Sequence, residues 1–320
     1  MASDYNLHLL TPVFNDWESL QILIYKIEQI DYLNSFSIKM TIVDDGSIAE
    51  METYPKSNKI LIEILHLKTN VGHQRSIAIG LQYIADTQNK IGKIIVLDSD
   101  GEDKPEDIPE LINACVATKD SEIIFAKRDK RNEGSLFRFS YFIYKLIFRV
   151  LTGFSINYGN FSCIPQKRLK NLIFQENIWN HFAASIFQSK IPYQSILLDR
   201  GKRYHGVSKM NLNGLILHGL SAISIYFDAF TIRILKGSFL GIVIGLIFIL
   251  SVFYQKLIAG TAIPGWASSL ILIISGIILQ LFSVTLIVLL LQLSKRKTLS
   301  PPDKYLYKEF IESIESFNRK

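Results

Sequence analysis

The 320-residue sequence predicts an α/β domain with a mostly parallel sheet, followed by interface helices and a two-helix transmembrane hairpin. Two observations predict this class. Strand-like and helix-like segments alternate through residues 7–127, which is the pattern of βαβ units. Residues 237–294 contain a single charge, Lys256, and are long enough for two membrane-spanning helices.

The elements of the sheet domain follow from hydrophobic periodicity. Strands are predicted at residues 7–14, 38–45, 60–67, 93–100 and 121–127. Helices are predicted at residues 16–30, 73–86 and 105–118. Ligands of such sheets bind beyond the carboxyl ends of the strands. Three polar motifs stand at those ends and are expected to converge: TPVFND, VDDGS and DSDGED.

The segment VLDSDGEDKPEDIPEL at residues 96–111 places seven carboxylates in sixteen positions. Pro105 and the acids that follow it suit the first turn of a helix, where they complement exposed N–H groups. Asp98 and Asp100 precede that helix and need another explanation. Two carboxylates so close repel each other unless a cation lies between them, and hard oxygen ligands suit Mg²⁺ or Mn²⁺. The segment therefore predicts a metal site.

The hairpin is predicted from two uncharged stretches, with spans at about residues 236–256 and 266–293. Soluble core helices rarely run this long without a charge. Basic residues flank the hairpin, at Arg233 and Lys236 before it and at residues 295–297 after it. By the positive-inside rule, both termini, and with them the sheet domain, are expected on the cytoplasmic side of the inner (cytoplasmic) membrane.

The net charge of +6 is explained by an anionic lipid surface, and no nucleic-acid-binding motif accompanies it. Basic and aromatic residues interleave at residues 135–152, which favours a helix in the membrane interface or an ordinary amphipathic helix packed on the domain. Cys115 and Cys163 lack metal spacing and are expected to be packing residues. The predicted organisation is a domain at residues 1–210, a juxtamembrane amphipathic segment at 211–235, the hairpin at 236–295 and a cytoplasmic tail at 296–320.

Taken together, these motifs, with NVGHQRSIAIGL and RGKRYHGVSKM, resemble the family 2 glycosyltransferases. More narrowly, they resemble the polyprenyl-phosphate branch, which contains dolichol-phosphate mannose synthases and bacterial glucosyltransferases of the GtrB type. The resemblance implies a GT-A fold, which is Rossmann-like, and inverting transfer of one sugar to undecaprenyl or dolichyl phosphate. It also implies a nucleotide-sugar donor, with UDP favoured and GDP as the rival, and Mg²⁺ or Mn²⁺ as cofactor. Assembly into a homo-oligomer is a further expectation, since some relatives assemble through their membrane helices.

The resemblance also implies roles for individual residues. Those expected to bind the nucleotide-sugar are Pro12, Phe14, Asp16, Asp44, Asp45, Arg75, Asp98 and Ser99. In this sequence Phe14 replaces a tyrosine of the family pattern and Asp16 replaces a glutamate. The metal ligands are expected to be Asp98, Asp100 and Glu102, and the acceptor-phosphate residues Arg128, Arg131 and Arg138. The residues expected to act in catalysis are Asp100, Arg128, Arg138, Arg203 and Lys209.

The chemistry of the reaction agrees with these roles. A departing diphosphate accumulates negative charge, which nearby cations stabilise. Arg200, Lys202, Arg203 and Lys209 supply such cations, although a short basic run could also be a solvated surface. A lipid phosphate is already ionised near neutral pH, so the acceptor needs capture by arginine and no general base. His73, His181 and His205 are therefore interpreted as structural or peripheral.

Three other functions are weighed against this one. A family 2 transferase acting on another membrane-associated glycan acceptor would share the donor site. A processive polysaccharide synthase is disfavoured, because such enzymes carry a Gln-x-x-Arg-Trp motif and none of the three tryptophans lies in one. A catalytically silent membrane-tethered scaffold is the third, and retention of the paired acids and the arginines argues against it.

Overall fold

The structure is a computed structural model that describes residues 5–49, 51, 55–88, 91–128, 146, 148–150, 152–153, 158–205, 224–260, 265–297, 303 and 305–317. The chain divides into two compact units. The first comprises residues 1–140, 156–225 and 302–320, and the second comprises residues 141–155 and 226–301.

An eight-stranded sheet forms the centre of the first unit. Its strands are β1 (Tyr5–Val13), β2 (Ile38–Asp44), β3 (Ile60–Leu67), β4 (Ile91–Val96), β5 (Ile123–Arg128), β6 (Tyr158–Pro165), β7 (Tyr193–Leu198) and β8 (Ile311–Phe317). The spatial order is β7-β5-β6-β4-β1-β2-β3-β8. Among these strands β6 and β8 run opposite to the other six, so the predicted mostly parallel sheet is confirmed.

Helices cover both faces of the sheet, as the sequence predicts. They are α1 (Trp17–Glu28), α2 (His73–Thr87), α3 (Ile108–Ala117), α4 (Gln166–Ile173) and α5 (Phe182–Gln188). Apolar residues of α1 and α3 pack on one face, and those of α2, α4 and α5 pack on the other. Cys115 and Cys163 are buried, as expected of packing residues. The sheet is therefore closed on both faces, and its polar side chains concentrate at the strand ends.

The C-terminal segment returns to the first unit, which the sequence analysis did not foresee. Strand β8 lies antiparallel to β3 and forms one edge of the sheet. A short 3₁₀ turn precedes it at Leu306–Glu309, where Tyr307 is buried and donates a 2.6 Å hydrogen bond to Asp86 of α2. The residues that the sequence analysis treated as a cytoplasmic tail thus include a strand of the central sheet.

The second unit contains the two apolar helices, α6 (Phe227–Leu257) and α7 (Trp266–Lys297). Their most apolar windows have mean hydropathies of 2.3 and 2.6, and 11% and 0% of those windows is buried. Core helices of a soluble protein would be mostly buried, so α6 and α7 are candidate transmembrane helices, as predicted. Helix α6 begins at Phe227, within the segment predicted as juxtamembrane. Gln292 of α7 donates a 2.6 Å hydrogen bond to Asp228 of α6.

Candidate active site

The three polar motifs meet at the carboxyl ends of the central strands, as the sequence analysis expected. Strand β1 lies between β2 and β4, and all three run in the same direction. Val13 pairs with Asp44 of β2, and Leu10 pairs with Val96 of β4. The carboxyl ends of parallel strands lie at the same end of the sheet, so the loops that follow β1, β2 and β4 lie together. TPVFND, VDDGS and DSDGED are therefore neighbours in space.

Asn15 joins the first two motifs, and the sequence analysis did not single it out. It adopts a positive φ of 51°, a conformation that asparagine tolerates better than most residues. Its side-chain Oδ1 accepts hydrogen bonds from the amides of Ile48 (2.8 Å) and Ala49 (2.9 Å), and its own amide donates to Ser47 Oγ (2.9 Å). Asn15 therefore holds the loop after β2 against the end of β1. The sequence signal was an asparagine directly after a predicted strand.

Asp44 and Asp45 are both buried and engaged in hydrogen bonds. Asp44 accepts from the amide of Ser47 at 3.0 Å and lies 2.9 Å from His66 Nδ1. Asp45 accepts from the amides of Val71 (2.8 Å) and Gly72 (3.0 Å), just before α2. Burial raises the pKa of Asp45, although these hydrogen bonds oppose the rise. Asp44 thus stabilises the loop after β2, and Asp45 stabilises the loop before α2. Their role in reading a nucleotide base stays a prediction.

The acidic loop after β4 is folded tightly on itself. Asp100 Oδ1 accepts from the amide of Glu102 at 2.9 Å, and Asp103 Oδ2 accepts from the amide of Asp98 at 2.9 Å. Gly101 has a φ of +88°, and a Cβ at this position would lie 2.7 Å from the ring of Tyr204. Only glycine meets both the backbone and the packing requirement at residue 101.

The basic loop after β7 lies against this acidic loop. The amides of Gly201 and Tyr204 each donate a 2.9 Å hydrogen bond to carbonyls of the acidic loop. Arg203 Nη2 lies 2.6 Å from Asp100 Oδ2, and its Nε lies 3.3 Å from Glu102 Oε1. Arg200 also pairs with Glu102. The structure thus brings Arg200 and Arg203 to the predicted metal-binding residues, whereas the neighbouring Lys202 is exposed.

The acidic loop brings negative charges close together around Asp100. Burial raises the pKa of Asp100, and the negative charge of Asp98 raises it further. No three His, Cys, Asp or Glu side chains within the described ranges form a group that could hold a metal ion alone. Glu102 pairs with Arg200 and Arg203, and its role as a third metal ligand stays a prediction. Mg²⁺ is commonly held by one or two carboxylates together with substrate phosphates. Asp98 and Asp100 fit that arrangement.

His73 lies beside Asp98 and is therefore not peripheral to the acidic loop, and its interpretation as a structural residue stays a prediction. Its Nε2 is 3.2 Å from Asp98 Oδ1 and 2.8 Å from Asn160 Nδ2. Burial would lower the pKa of His73, but the charges of Asp98, Asp103 and Asp100 outweigh it and raise the pKa. No sequence signal marked Asn160, since it follows the predicted elements. By contrast, His181 caps α5 by accepting from the amide of Ala184, as a structural histidine should.

The remaining predicted residues fall into four groups. Pro12 and Ser99 are buried at the strand ends. Phe14, Asp16 and Arg75 lie nearer the surface; Phe14 is 39% exposed, Asp16 is partly exposed before α1, and Arg75 is exposed in the first turn of α2. Arg128 ends β5, pairing with Leu198, and only its backbone is described. Arg131, Arg138 and Lys209 lie outside the described residues.

The fold and the site define a class, the glycosyltransferases of GT-A fold that carry membrane helices. The chain belongs to glycosyl transferase family 2, whose family description matches residues 9–174. It is 26% identical over 282 residues to the prophage bactoprenol glucosyl transferase homolog of Escherichia coli K12, with 84% of this chain and 87% of that protein covered. It is 29% identical over 223 residues to an undecaprenyl-phosphate 4-deoxy-4-formamido-L-arabinose transferase of Yersinia enterocolitica, covering 65% and 63% respectively.

Among solved structures, glucosyl-3-phosphoglycerate synthase from Mycobacterium tuberculosis, in complex with Mn²⁺, UDP-glucose and phosphoglyceric acid, has a TM-score of 0.48 and 12% identity. The match covers 70% of this chain and 79% of that one.

Proposed function

We propose that this protein transfers one sugar from a nucleotide-sugar to a polyprenyl phosphate at the cytoplasmic face of the membrane, with inversion at the anomeric carbon. The single observation that carries the proposal is the acidic loop at the end of β4 in a chain that also contains two exposed apolar helices. The relative that covers 84% of the chain is named for transfer involving bactoprenol, and its match extends beyond the sheet domain.

At the donor site, Asp98 and Asp100 would hold Mg²⁺ or Mn²⁺. When bound, the metal supplies positive charge that stabilises the departing nucleoside diphosphate. Arg200 and Arg203 add cations beside the same loop, and their present partners are the carboxylates themselves. Arginine donates several hydrogen bonds from one plane, so Arg203 could turn a donor toward a phosphate oxygen while another still contacts Asp100.

At the acceptor site, the chemistry requires no general base. The acceptor oxygen of a phosphate monoester is already ionised, and its direct attack on the anomeric carbon inverts the sugar in one step. The chain must hold the two negatively charged reactants together, which is the role we assign to Arg128, Arg131 and Arg138. UDP is the favoured nucleotide and GDP is the rival. Association into a homo-oligomer remains a prediction.

Chain connectivity supports a cytoplasmic location for both termini. The helices α6 and α7 follow residue 225 of the first unit, and the chain re-enters that unit at residue 302. A folded sheet cannot be divided between two sides of a bilayer, so both ends of a spanning hairpin must emerge on the side where the sheet lies. The basic residues that flank the hairpin support a cytoplasmic location for that side.

The test is to incubate membranes containing the protein with a panel of labelled nucleotide-sugars and to extract the lipid fraction. We expect label from one donor in a polyprenyl-phosphate product. Asp100→Asn should abolish the transfer and leave membrane insertion intact, while Glu110→Gln, an exposed acid of α3, should leave the transfer unchanged. Undiminished transfer by Asp100→Asn would remove the metal assignment.

Two alternatives give different results in the same experiment. A family 2 transferase with another membrane-associated glycan acceptor would consume the donor and leave no label on polyprenyl phosphate. A catalytically silent scaffold would consume no donor and would bind no nucleoside diphosphate when Mn²⁺ is present.

A further inference from the structure

Three ionisable side chains form a row across the last three strands of the sheet. Asp44 ends β2, His66 lies beside it on β3, and Glu315 comes from β8. Asp44 pairs directly with His66 in the parallel ladder. Glu315 pairs with Ile64, so Glu315 and His66 are diagonal neighbours on the same face of the sheet. The row thus joins the C-terminal strand to a motif at the candidate active site.

His66 lies between the two carboxylates. Its Nδ1 is 2.9 Å from Asp44 Oδ2, and its Nε2 is 3.9 Å from Glu315 Oε1. Nε2 is buried and has no hydrogen-bond partner among the described residues. The exposed fraction of the side chains falls along the row, from 41% at Glu315 through 22% at His66 to 8% at Asp44. A charge at Glu315 therefore acts on His66 across 3.9 Å, and its solvent exposure screens this interaction in part.

Asp44 connects His66 to the loop that follows β2 at the candidate active site. Its second oxygen accepts from the amide of Ser47, whose hydroxyl in turn accepts from the amide of Asn15. Gly46 lies in the same loop, and a Cβ at this position would lie 2.7 Å from the amide nitrogen of Asn70. The loop after β2 is thus tightly packed, and its position depends on the orientation of the Asp44 carboxylate. A shift of His66 would be transmitted to this loop.

The C-terminal strand is held in place independently of Glu315. The amide of Lys68 donates to the carbonyl of Phe310 at 2.9 Å, and the Phe310 ring packs on Trp179 with centroids 5.6 Å apart. Tyr307 is anchored on α2 by its hydrogen bond to Asp86. The charge of Glu315 can therefore be removed without detaching β8, which allows an electrostatic role to be separated from a structural one.

We propose that Glu315 is a positioning residue for the nucleotide part of the donor, acting through His66 on Asp44 and the loop that follows it. The C-terminal strand, which follows the membrane hairpin in sequence, would then be a working part of the donor site. This inference rests on the proposed function, since it concerns the affinity of the same site for a nucleoside diphosphate.

The test measures binding of UDP and of GDP, each with Mg²⁺, to the full-length protein in detergent by isothermal titration calorimetry. Glu315→Gln should weaken binding of the preferred nucleotide about fivefold, which is about 1 kcal/mol. The matched control is Glu312→Gln, which removes an exposed acid from the same strand and should change nothing. Both variants should melt within about 1 °C of the wild type, because β8 keeps its other contacts.

A double-mutant cycle tests the route through His66. His66→Asn keeps an amide near the position of Nδ1 and removes Nε2, so it should retain the contact with Asp44 and lose the link to Glu315. In that background Glu315→Gln should have no additional effect on the nucleotide Kd. If Glu315→Gln weakens nucleotide binding equally in the wild type and in His66→Asn, the route through His66 is overturned.

The outcomes separate this inference from the proposed function. Wild-type protein that binds neither nucleotide would refute the proposed function, and the inference would fall with it. Wild-type protein that binds UDP or GDP, with Glu315→Gln binding equally well, would refute the inference alone. If Glu315→Gln and Glu312→Gln weaken nucleotide binding equally, or if Glu315→Gln also lowers Tm strongly, β8 acts only as a structural edge strand.

Discussion

Replacing Arg203 by alanine should lower both the stability of the sheet domain and the rate of sugar transfer. Arg203 contacts Asp100 at 2.6 Å and Glu102 at 3.3 Å, and Arg200 also pairs with Glu102. The variant therefore removes the arginine contact of Asp100 and leaves Glu102 with Arg200. The side chains of Arg203 and Asp100 are 28% and 15% exposed, so solvent screens this pair only in part.

The expected magnitude follows from these contacts. A hydrogen bond to a charged group contributes about 1.5–3 kcal/mol, and we expect a loss of about 2 kcal/mol. For a domain of this size, that loss lowers Tm by about 4–8 °C. If Arg203 also stabilises the departing diphosphate, kcat should fall about 100-fold, the usual loss for one donor to a developing anion.

The assay combines thermal melting in detergent with initial rates of labelled-lipid formation. Lys170→Ala is the matched control, since it removes an exposed cation of α4 to which no role in the site is assigned and should change neither quantity. Arg203→Lys should recover part of the stability but little of kcat, because a single ammonium cannot reproduce the planar pair of donors. Wild-type Tm and kcat in Arg203→Ala would refute the reasoning, and loss of kcat without loss of Tm would refute its structural half.

Three further predictions concern other parts of the chain. Gly101→Ala should lower Tm by several degrees and abolish transfer, because residue 101 has a φ of +88° and its Cβ would meet the ring of Tyr204; wild-type activity would contradict this. Burial and then Lys39 lower the pKa of His8 to about 3, so the unfolded chain binds an additional proton between that pH and about 6.5. Stability should therefore fall by up to about 1.4 kcal/mol per pH unit as the pH drops below 6.5, and His8→Gln should flatten the dependence of Tm on pH. Arg138→Ala should raise KM for the polyprenyl phosphate about tenfold with little change in KM for the nucleotide-sugar, and equal increases would place Arg138 elsewhere.

Much of the sheet and part of the site could be predicted because they depend on local patterns. Hydrophobic periodicity located β1 to β5, and the rule that ligands bind at the carboxyl ends of parallel strands placed Asp44 beside the loop of Asp98 and Asp100. Uncharged length located α6 and α7, because a bilayer imposes a fixed span. In each case a property of consecutive residues decides the outcome, so the sequence alone was sufficient.

The tertiary structure decided everything that depends on residues distant in the chain. Strand β8 has a mixed pattern, IESIESF, and only the exposed edge of β3 explains why it pairs there. His73 reached Asp98, and Arg203 reached Asp100, because the start of α2 and the loop after β7 both meet the acidic loop at the carboxyl ends of the parallel strands. Sequence patterns report which face of an element is apolar, but partners across the fold are fixed by strand order and register, which no local pattern contains.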